Sequence, residues 1–256
     1  MKTQPVVLPT SNMRFLVLGG YGNTGRRVCR LLLQATASDV LVAGRNYARA
    51  AALCTTLTRE FGRDRARPVE VDAADEPSLA HACEDADMVV VASSTGRYAD
   101  RVARAALQSG TDYMDVIFSS RKTGVLRSLE GEIRESGRCF ITDGGFHPGL
   151  PAAVVRWLAR DFHHVESATV ASVVRAEWQD LQLSRSTVEE FVEEFADMPI
   201  VEYRNGEWSK AGVRSLLRSR SIDFGAPFGR QACVPMFLEE MVAVTTEFPD
   251  MSDCGF

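Results

Sequence analysis

The stretch Gly20-Tyr21-Gly22-Asn23-Thr24-Gly25 constrains this chain more than any other part of it, because of what stands on either side. Before it runs Arg14-Phe15-Leu16-Val17-Leu18-Gly19, an apolar segment that predicts a buried first strand. After it comes Arg26-Arg27-Val28-Cys29-Arg30-Leu31-Leu32-Leu33, whose apolar spacing and strong helix formers predict a helix. Val40-Leu41-Val42-Ala43 follows at the distance a strand–helix–strand unit requires. In that setting G-x-G-x-x-G marks a dinucleotide-binding turn rather than an accident of composition. Gly20 is expected to permit the tight turn, Gly22 to let the backbone approach a pyrophosphate, and Gly25 to let the helix lie close on the sheet. Tyr21, Asn23 and Thr24 complete the loop, and free N–H groups at the helix start face the phosphates.

The end of the second strand selects the cofactor. An NAD site places an acidic side chain on the ribose 2′-hydroxyl about twenty residues beyond the glycines. Here the sequence reads Ala43-Gly44-Arg45-Asn46, with no carboxylate. Arg45 offers a planar, permanently charged fork suited to a 2′-phosphate, and Asn46 can add a hydrogen bond. The expectation is NADP(H); the alternative is that Arg45 merely ends a strand in water.

The chain has 256 residues, long enough for one large domain or two. Its net charge of -5 argues against a nucleic-acid surface. Cysteines 29, 54, 83, 139, 233 and 254 show neither C-x-x-C nor metal-ligand spacing, so no metal site is expected. With no signal peptide at the start they read as reduced thiols of a cytoplasmic protein. No apolar stretch is long enough for a membrane span. Residues 1–12 read as a polar, proline-bearing flexible tail.

Strand and helix patterns alternate through the first part. Helices are predicted near Tyr47–Phe61, Pro77–Cys83, Ala99–Gln108 and Gly124–Ser136. Strands are predicted at Pro68–Asp72, Met88–Ala92, Tyr113–Val116 and Cys139–Thr142. Near-continuous apolar strands separated by helices imply a parallel sheet covered on both faces. The fold class is therefore α/β: a Rossmann-type doubly wound sheet over residues 13–149, followed by a smaller α+β domain over 150–256. In that second part a helix is expected at Ala152–Asp161, a strand at Ala168–Val174, and a hairpin around Asn205-Gly206. A capping box at Ser186–Glu189 opens a helical stripe of Val188, Phe191, Val192 and Phe195, with Glu189, Glu190, Glu193 and Glu194 as its solvated face.

Taken in order, Gly19–Gly25, Ala43–Asn46, Val71-Asp72, Val91–Ser94, Asp112-Tyr113-Met114-Asp115 and Gly144-Gly145-Phe146-His147-Pro148-Gly149 make the chain resemble the saccharopine dehydrogenase-like oxidoreductases. The likeness spans residues 14–160 well and the remainder loosely. It implies an NADP-binding Rossmann domain, then a substrate and dimerisation domain built on a mixed sheet, through which a homodimer would form. It also implies hydride transfer at a carbon–nitrogen bond of a small, amino-acid-derived substrate. The family returns to the Rossmann domain with a C-terminal segment. This chain stops at Asp253-Cys254-Gly255-Phe256 without that return and reads as truncated. The family's loop often carries an acidic residue before Pro-Gly, where this chain has His147.

Ligands of such sheets lie at the carboxyl ends of the strands. Asp72-Ala73 either borders the adenine or caps a helix. Ser93-Ser94-Thr95 either contacts the pyrophosphate or nicotinamide ribose or caps the next helix, and the roles are compatible. Tyr113 and Asp115 share a strand face. Asp115 either orients substrate or a proton donor or is a buried structural carboxylate. Asp143 and His147 flank the loop through Gly149 that would close the reaction site. His147 is the proton-transfer candidate, with a structural donor as its alternative. The cationic run Arg204, Lys210, Arg214, Arg218 and Arg220 either meets an anionic substrate or is solvated. Two rival functions remain: a non-catalytic NADP sensor or scaffold, and an enoyl reductase acting on a lipid-type carbon–carbon double bond.

Overall fold

The computed structural model describes residues 12–62, 64–93, 96–116, 119–175, 177, 188, 192, 201–211 and 220–255. It divides into two compact units, Met1–Gly144 and Gly145–Phe256.

The first unit alternates strand and helix from its start. β1 (Arg14–Leu18), α1 (Gly25–Ala35), β2 (Asp39–Gly44), α2 (Tyr47–Phe61), β3 (Ala66–Glu70) and α3 (Glu76–Glu84) form its first half. β4 (Met88–Val91), α4 (Ala99–Gln108), β5 (Asp112–Asp115), α5 (Ser120–Ser128), α6 (Glu130–Ser136) and β6 (Phe140–Ile141) form the second. All six strands are parallel, in the order β3-β2-β1-β4-β5-β6. This is the Rossmann-type doubly wound sheet, with its chain reversal between β1 and β4, where such folds take their ligands.

Period-2 alternation sends successive strand residues to opposite faces, and both are covered. Leu16, Leu18, Leu41, Val89 and Val91 face a cluster with Leu79, Cys83, Val102 and Ala106 of α3 and α4. Val17, Val40, Val42 and Val90 face Cys29 and Leu33 of α1 and Ala50, Cys54 and Leu57 of α2. Each such aliphatic side chain contributes about 1.5–3 kcal/mol by leaving water. The predicted helix Gly124–Ser136 is two helices, because Leu129 leaves helical geometry (φ -95, ψ 1) while its side chain is anchored in the core. β3 begins two residues earlier than expected, and Pro68 is tolerated because β3 is an edge strand.

The second unit is a smaller α+β body. Among the described residues its elements are α7 (Leu150–Ala159), β7 (Ser167–Thr169), β8 (Val201–Arg204), β9 (Glu207–Lys210), β10 (Arg220–Asp223), β11 (Arg230–Cys233), α8 (Glu240–Glu247) and β12 (Asp253–Gly255). One mixed sheet has the order β7-β12-β8-β9, and β10–β11 form a separate antiparallel pair. The turn at Asn205-Gly206 has φ of 51 and 81, the two positive values that a two-residue hairpin requires. Ala152 and Val155 of α7 meet Met241 and Val244 of α8 over Tyr203, Met251 and Cys254. The expected strand Ala168–Val174 is reduced to Ser167–Thr169, the stretch that β12 pairs. Of the helical stripe near 186–195, only Val188 and Val192 are described, and both are exposed helical residues. Its capping box, its acidic face, and Arg214 and Arg218 lie outside the described residues.

Candidate functional site

The glycine loop joins β1 to α1 at the carboxyl edge of the sheet. The left-handed residue of its turn is Gly19, with φ of 76, so the conformational demand expected at Gly20 falls one position earlier. The N–H groups of Gly19 and Gly20 both donate to the Ala43 carbonyl, at 2.9 and 3.0 Å, tying the loop to β2. The need for glycine at 20 is steric: a Cβ there would lie 2.9 Å from both the Val17 carbonyl and Val42 Cγ1. At Gly25 a Cβ would collide with the Gly19 carbonyl and stand 2.7 Å from Gly20 Cα, so only glycine brings α1 this close. At Gly22 the sole neighbour would be the Gly19 carbonyl at 3.1 Å, and the loop is otherwise open on that side. Among the described residues the N–H groups of Asn23, Thr24 and Gly25 have no backbone partner, and Thr24 makes no side-chain cap. An open cradle ringed by N–H donors at a helix start is what a diphosphate requires.

The end of β2 carries positive charge over an aromatic plate. Tyr21 folds onto Gly44, where a Cβ would sit 2.6 Å from its ring, and its hydroxyl accepts the Asn46 N–H at 3.0 Å. The Arg49 guanidinium lies over the same ring, 4.6 Å from its centre. Asn46 is the N-cap of α2, its Oδ1 accepting the Arg49 N–H at 3.0 Å. Its amide oxygen is therefore committed to the helix, and the NH₂ group is what it can offer a ligand. Arg45 is exposed beside it, and the first turn of α2 holds no acidic residue. Sequence reasoning missed Arg49; the signal was its place three residues after a capping Asn, which puts it in the first turn.

Three further sets of contacts were expected at the strand ends. Asp72 is exposed and its Oδ1 accepts the Ala74 N–H at 3.0 Å, closing a turn, while Ala73 is buried in the core. Ser93 stands against the glycine loop, since a Cβ on Gly19 would lie 2.5 Å from its Cβ. Ser94 and Thr95 lie outside the described residues.

A buried charged cluster occupies the carboxyl ends of β5 and β6. The Lys122 ammonium, from α5, donates to Asp115 Oδ1 at 2.7 Å and to Asp143 Oδ1 at 2.6 Å. Side-chain exposure is 1% for Lys122, 0% for Asp115 and 17% for Asp143. Asp115 also accepts from the Tyr113 hydroxyl (2.9 Å), the Thr142 hydroxyl (3.2 Å) and the Asp143 N–H (3.2 Å). Burial, the Asp115 charge beside it and its hydrogen bond to Asp115 push the Tyr113 phenol well above its ordinary value. With no exposed surface, Asp115 meets no ligand directly in this arrangement. Lys122 escaped notice in the sequence because its surroundings, Ser119-Ser120-Arg121-Lys122-Thr123, read as a polar surface turn.

His147 belongs to the second unit. Its ring lies 4.1 Å from that of Phe146, and burial lowers its pKa from the ordinary 6.5. Burial thus favours its neutral form over the charged imidazolium. A cis His147–Pro148 bond and a bridge between Gly145 and Gly149 shape its loop. The same unit encloses a cavity of about 310 Å³ lined by Arg204, Arg220, Val170, Ile222, Tyr203 and Cys233 among others. Arg204 pairs with Glu202 at 2.8 Å, and Arg220 with Asp253 at 2.9 Å. Among the described residues no group of His, Cys, Asp and Glu is arranged to hold a metal ion, and no helix is long and apolar enough to cross a membrane.

The model of the saccharopine dehydrogenase NADP binding domain family matches residues 15–139. Among solved structures, the saccharopine dehydrogenase (L-Glu forming) of Saccharomyces cerevisiae aligns with 95% of this chain and 54% of its own, with a TM-score of 0.67 and 18% identity. The chain thus spans about half the length of that protein, and the likeness is one of fold. Pen from Bacillus thuringiensis aligns over 64% of this chain and 60% of its own (TM-score 0.41, 15% identity). A short-chain dehydrogenase/reductase from Veillonella parvula in complex with NADP aligns over 51% and 67% (TM-score 0.39, 15% identity). No curated protein sequence matches the chain.

Proposed function

Residues 15–139 belong to the saccharopine dehydrogenase NADP binding domain family, whose cofactor is NADP(H), and on that premise we propose that the chain is an NADP(H)-dependent oxidoreductase. The glycine loop from Gly20 to Gly25 would cradle the pyrophosphate on the N–H groups of Asn23, Thr24 and Gly25. Arg45 and Arg49, with the Asn46 amide, would hold the 2′-phosphate above Tyr21. Ser93, Ser94 and Thr95 would flank the nicotinamide ribose, and Asp72-Ala73 would border the adenine. The bound cofactor supplies hydride chemistry; the protein supplies alignment, exclusion of water and one group for the accompanying proton. The substrate class, a carbon–nitrogen bond in an amino-acid-derived molecule, is drawn from the yeast relative, which forms L-Glu.

One observation carries this reading. The open, donor-ringed side of Gly22 stands at the same sheet edge as Arg45, where an NAD site carries a carboxylate, and Arg49 in the first turn of α2. The test is a calorimetric titration of the chain with NADPH and NADH, repeated on Arg45→Ala. NADPH should bind the more tightly, and loss of Arg45 should weaken NADPH by about tenfold, the worth of one charged hydrogen bond, while leaving NADH unchanged. Equal affinities for the two cofactors would remove the 2′-phosphate assignment.

A further inference from the structure

Oxidation of an amine carbon by NADP⁺ takes a hydride from carbon and one proton from nitrogen, and the protein must receive that proton. Resting on the oxidoreductase reading, we propose that Asp143, held by Lys122 and Asp115 at the carboxyl ends of β5 and β6, receives this proton and returns it in the reverse reaction. Lys122 and Asp115 are positioning residues for it.

The first support is place. In a doubly wound sheet the dinucleotide crosses the chain reversal, its adenine half over β1–β3 and its nicotinamide half over β4–β6. The cluster stands in the nicotinamide half. The second is charge: the Lys122 ammonium is shared between two carboxylates, so Asp143 does not have its counter-charge to itself. The third is graded access, since Lys122 and Asp115 are sealed at 1% and 0% exposure while Asp143 keeps 17%. A cluster serving the fold alone needs no open edge. The fourth is backbone: Asp143 is held at φ 59, in the left-handed region that few non-glycine residues enter, Asp among the more tolerant of them. Gly144 fixes it there, because its N–H donates to the Asp115 carbonyl at 2.8 Å and a Cβ on it would lie 2.5 Å from Met114 Cε. Within this unit Asp143 is faced by Lys122 from α5 and Asp115 from β5, with Tyr113 and Thr142 behind Asp115.

NADP⁺ bears a positive ring and NADPH does not, while every other part of the two is common. The ratio of their affinities therefore isolates the charge at the nicotinamide end. The chain and its Asp143→Asn variant are titrated with both cofactors by calorimetry, in two buffers of different ionisation heat so that released protons are counted. Asp143→Asn should weaken NADP⁺ relative to NADPH by at least about threefold, the Coulomb factor for unit charges about 6 Å apart in water. It should also abolish any excess of protons released by NADP⁺ over NADPH; the shared 2′-phosphate cancels in that difference. The asparagine oxygen still accepts from Lys122, and a melting curve checks that the variant folds. Should it not fold, the affinity ratio of the unaltered chain across pH takes its place, and a ratio that does not move with pH overturns the proposal. An unchanged ratio with an unchanged proton count overturns it too, while leaving the cofactor reading intact. Failure of the folded, unaltered chain to bind either cofactor refutes that reading and this inference with it.

Discussion

Replacing Lys122 by methionine keeps the length of the side chain and removes its charge, and should destabilise the first unit severely. Removing one partner of a buried ion pair costs about 3–5 kcal/mol, because the charge left behind can neither hydrate nor pair. Here the ammonium serves two carboxylates, and the one at Asp115 has no exposed surface. Asp115 would retain the Tyr113 and Thr142 hydroxyls and the Asp143 N–H, and Asp143 would rehydrate through its open edge. Those compensations place the expected loss at the lower end, about 3 kcal/mol. For a unit of this size that is a fall of about 10 °C in the melting midpoint. The assay is urea and thermal unfolding followed by far-ultraviolet circular dichroism. Trp157, Trp178 and Trp208 all lie in the second unit, so tryptophan fluorescence follows that unit separately. The double variant Lys122→Met with Asp115→Asn should recover part of the loss, since it no longer buries an unpaired charge. A loss under about 1 kcal/mol, or a double variant no better than the single, would refute the assignment of Lys122 as the cluster's counter-charge.

Two further outcomes are expected. Because burial, and then Asp115, hold the Tyr113 phenol protonated well above 10.0, the folded state keeps a proton that the unfolded chain gives up. Stability should therefore fall as pH rises through 10.0, and Tyr113→Phe should flatten that fall in a series of denaturation midpoints; parallel slopes would count against it. Arg49→Ala should weaken NADPH by about fivefold and leave NADH unaffected in the same titration, since the 2′-phosphate is the group proposed to meet its guanidinium. An equal loss for both cofactors would show that Arg49 acts by holding Tyr21 rather than by meeting the phosphate.

What the sequence revealed was whatever local rules govern. α2 runs from Tyr47 to Phe61 as expected, because Asn46 caps its start and Gly62, at φ 66, ends it. The glycine loop was legible as a fingerprint, yet its left-handed residue is Gly19, and telling Gly19 from Gly20 requires knowing which carbonyl each N–H reaches. The charged cluster was legible only in halves. Tyr113-x-Asp115 on one strand and Asp143 after the next placed two acids at neighbouring strand ends, which calls for a counter-charge. The lysine that supplies it sits in a polar turn, and its burial follows from α5 packing against the sheet. In the second unit the described strands are three or four residues long, too short for a pattern, and β10, β11, α8 and β12 left no readable signal.

The place of β12 in its sheet bears on how the molecule comes into being. β7 touches no other strand of that sheet except through β12, and the two are separated by more than eighty residues of chain. On the ribosome the first unit can close as its own strands emerge, each pairing with neighbours already made. The second must wait with β7, β8 and β9 exposed until residues 253–255 arrive to join them. Non-local pairing of this kind is slow and leaves strand edges open to other chains in the interval. A nascent chain halted between β11 and β12 would thus carry a finished nucleotide-binding unit attached to an unfinished, adhesive one.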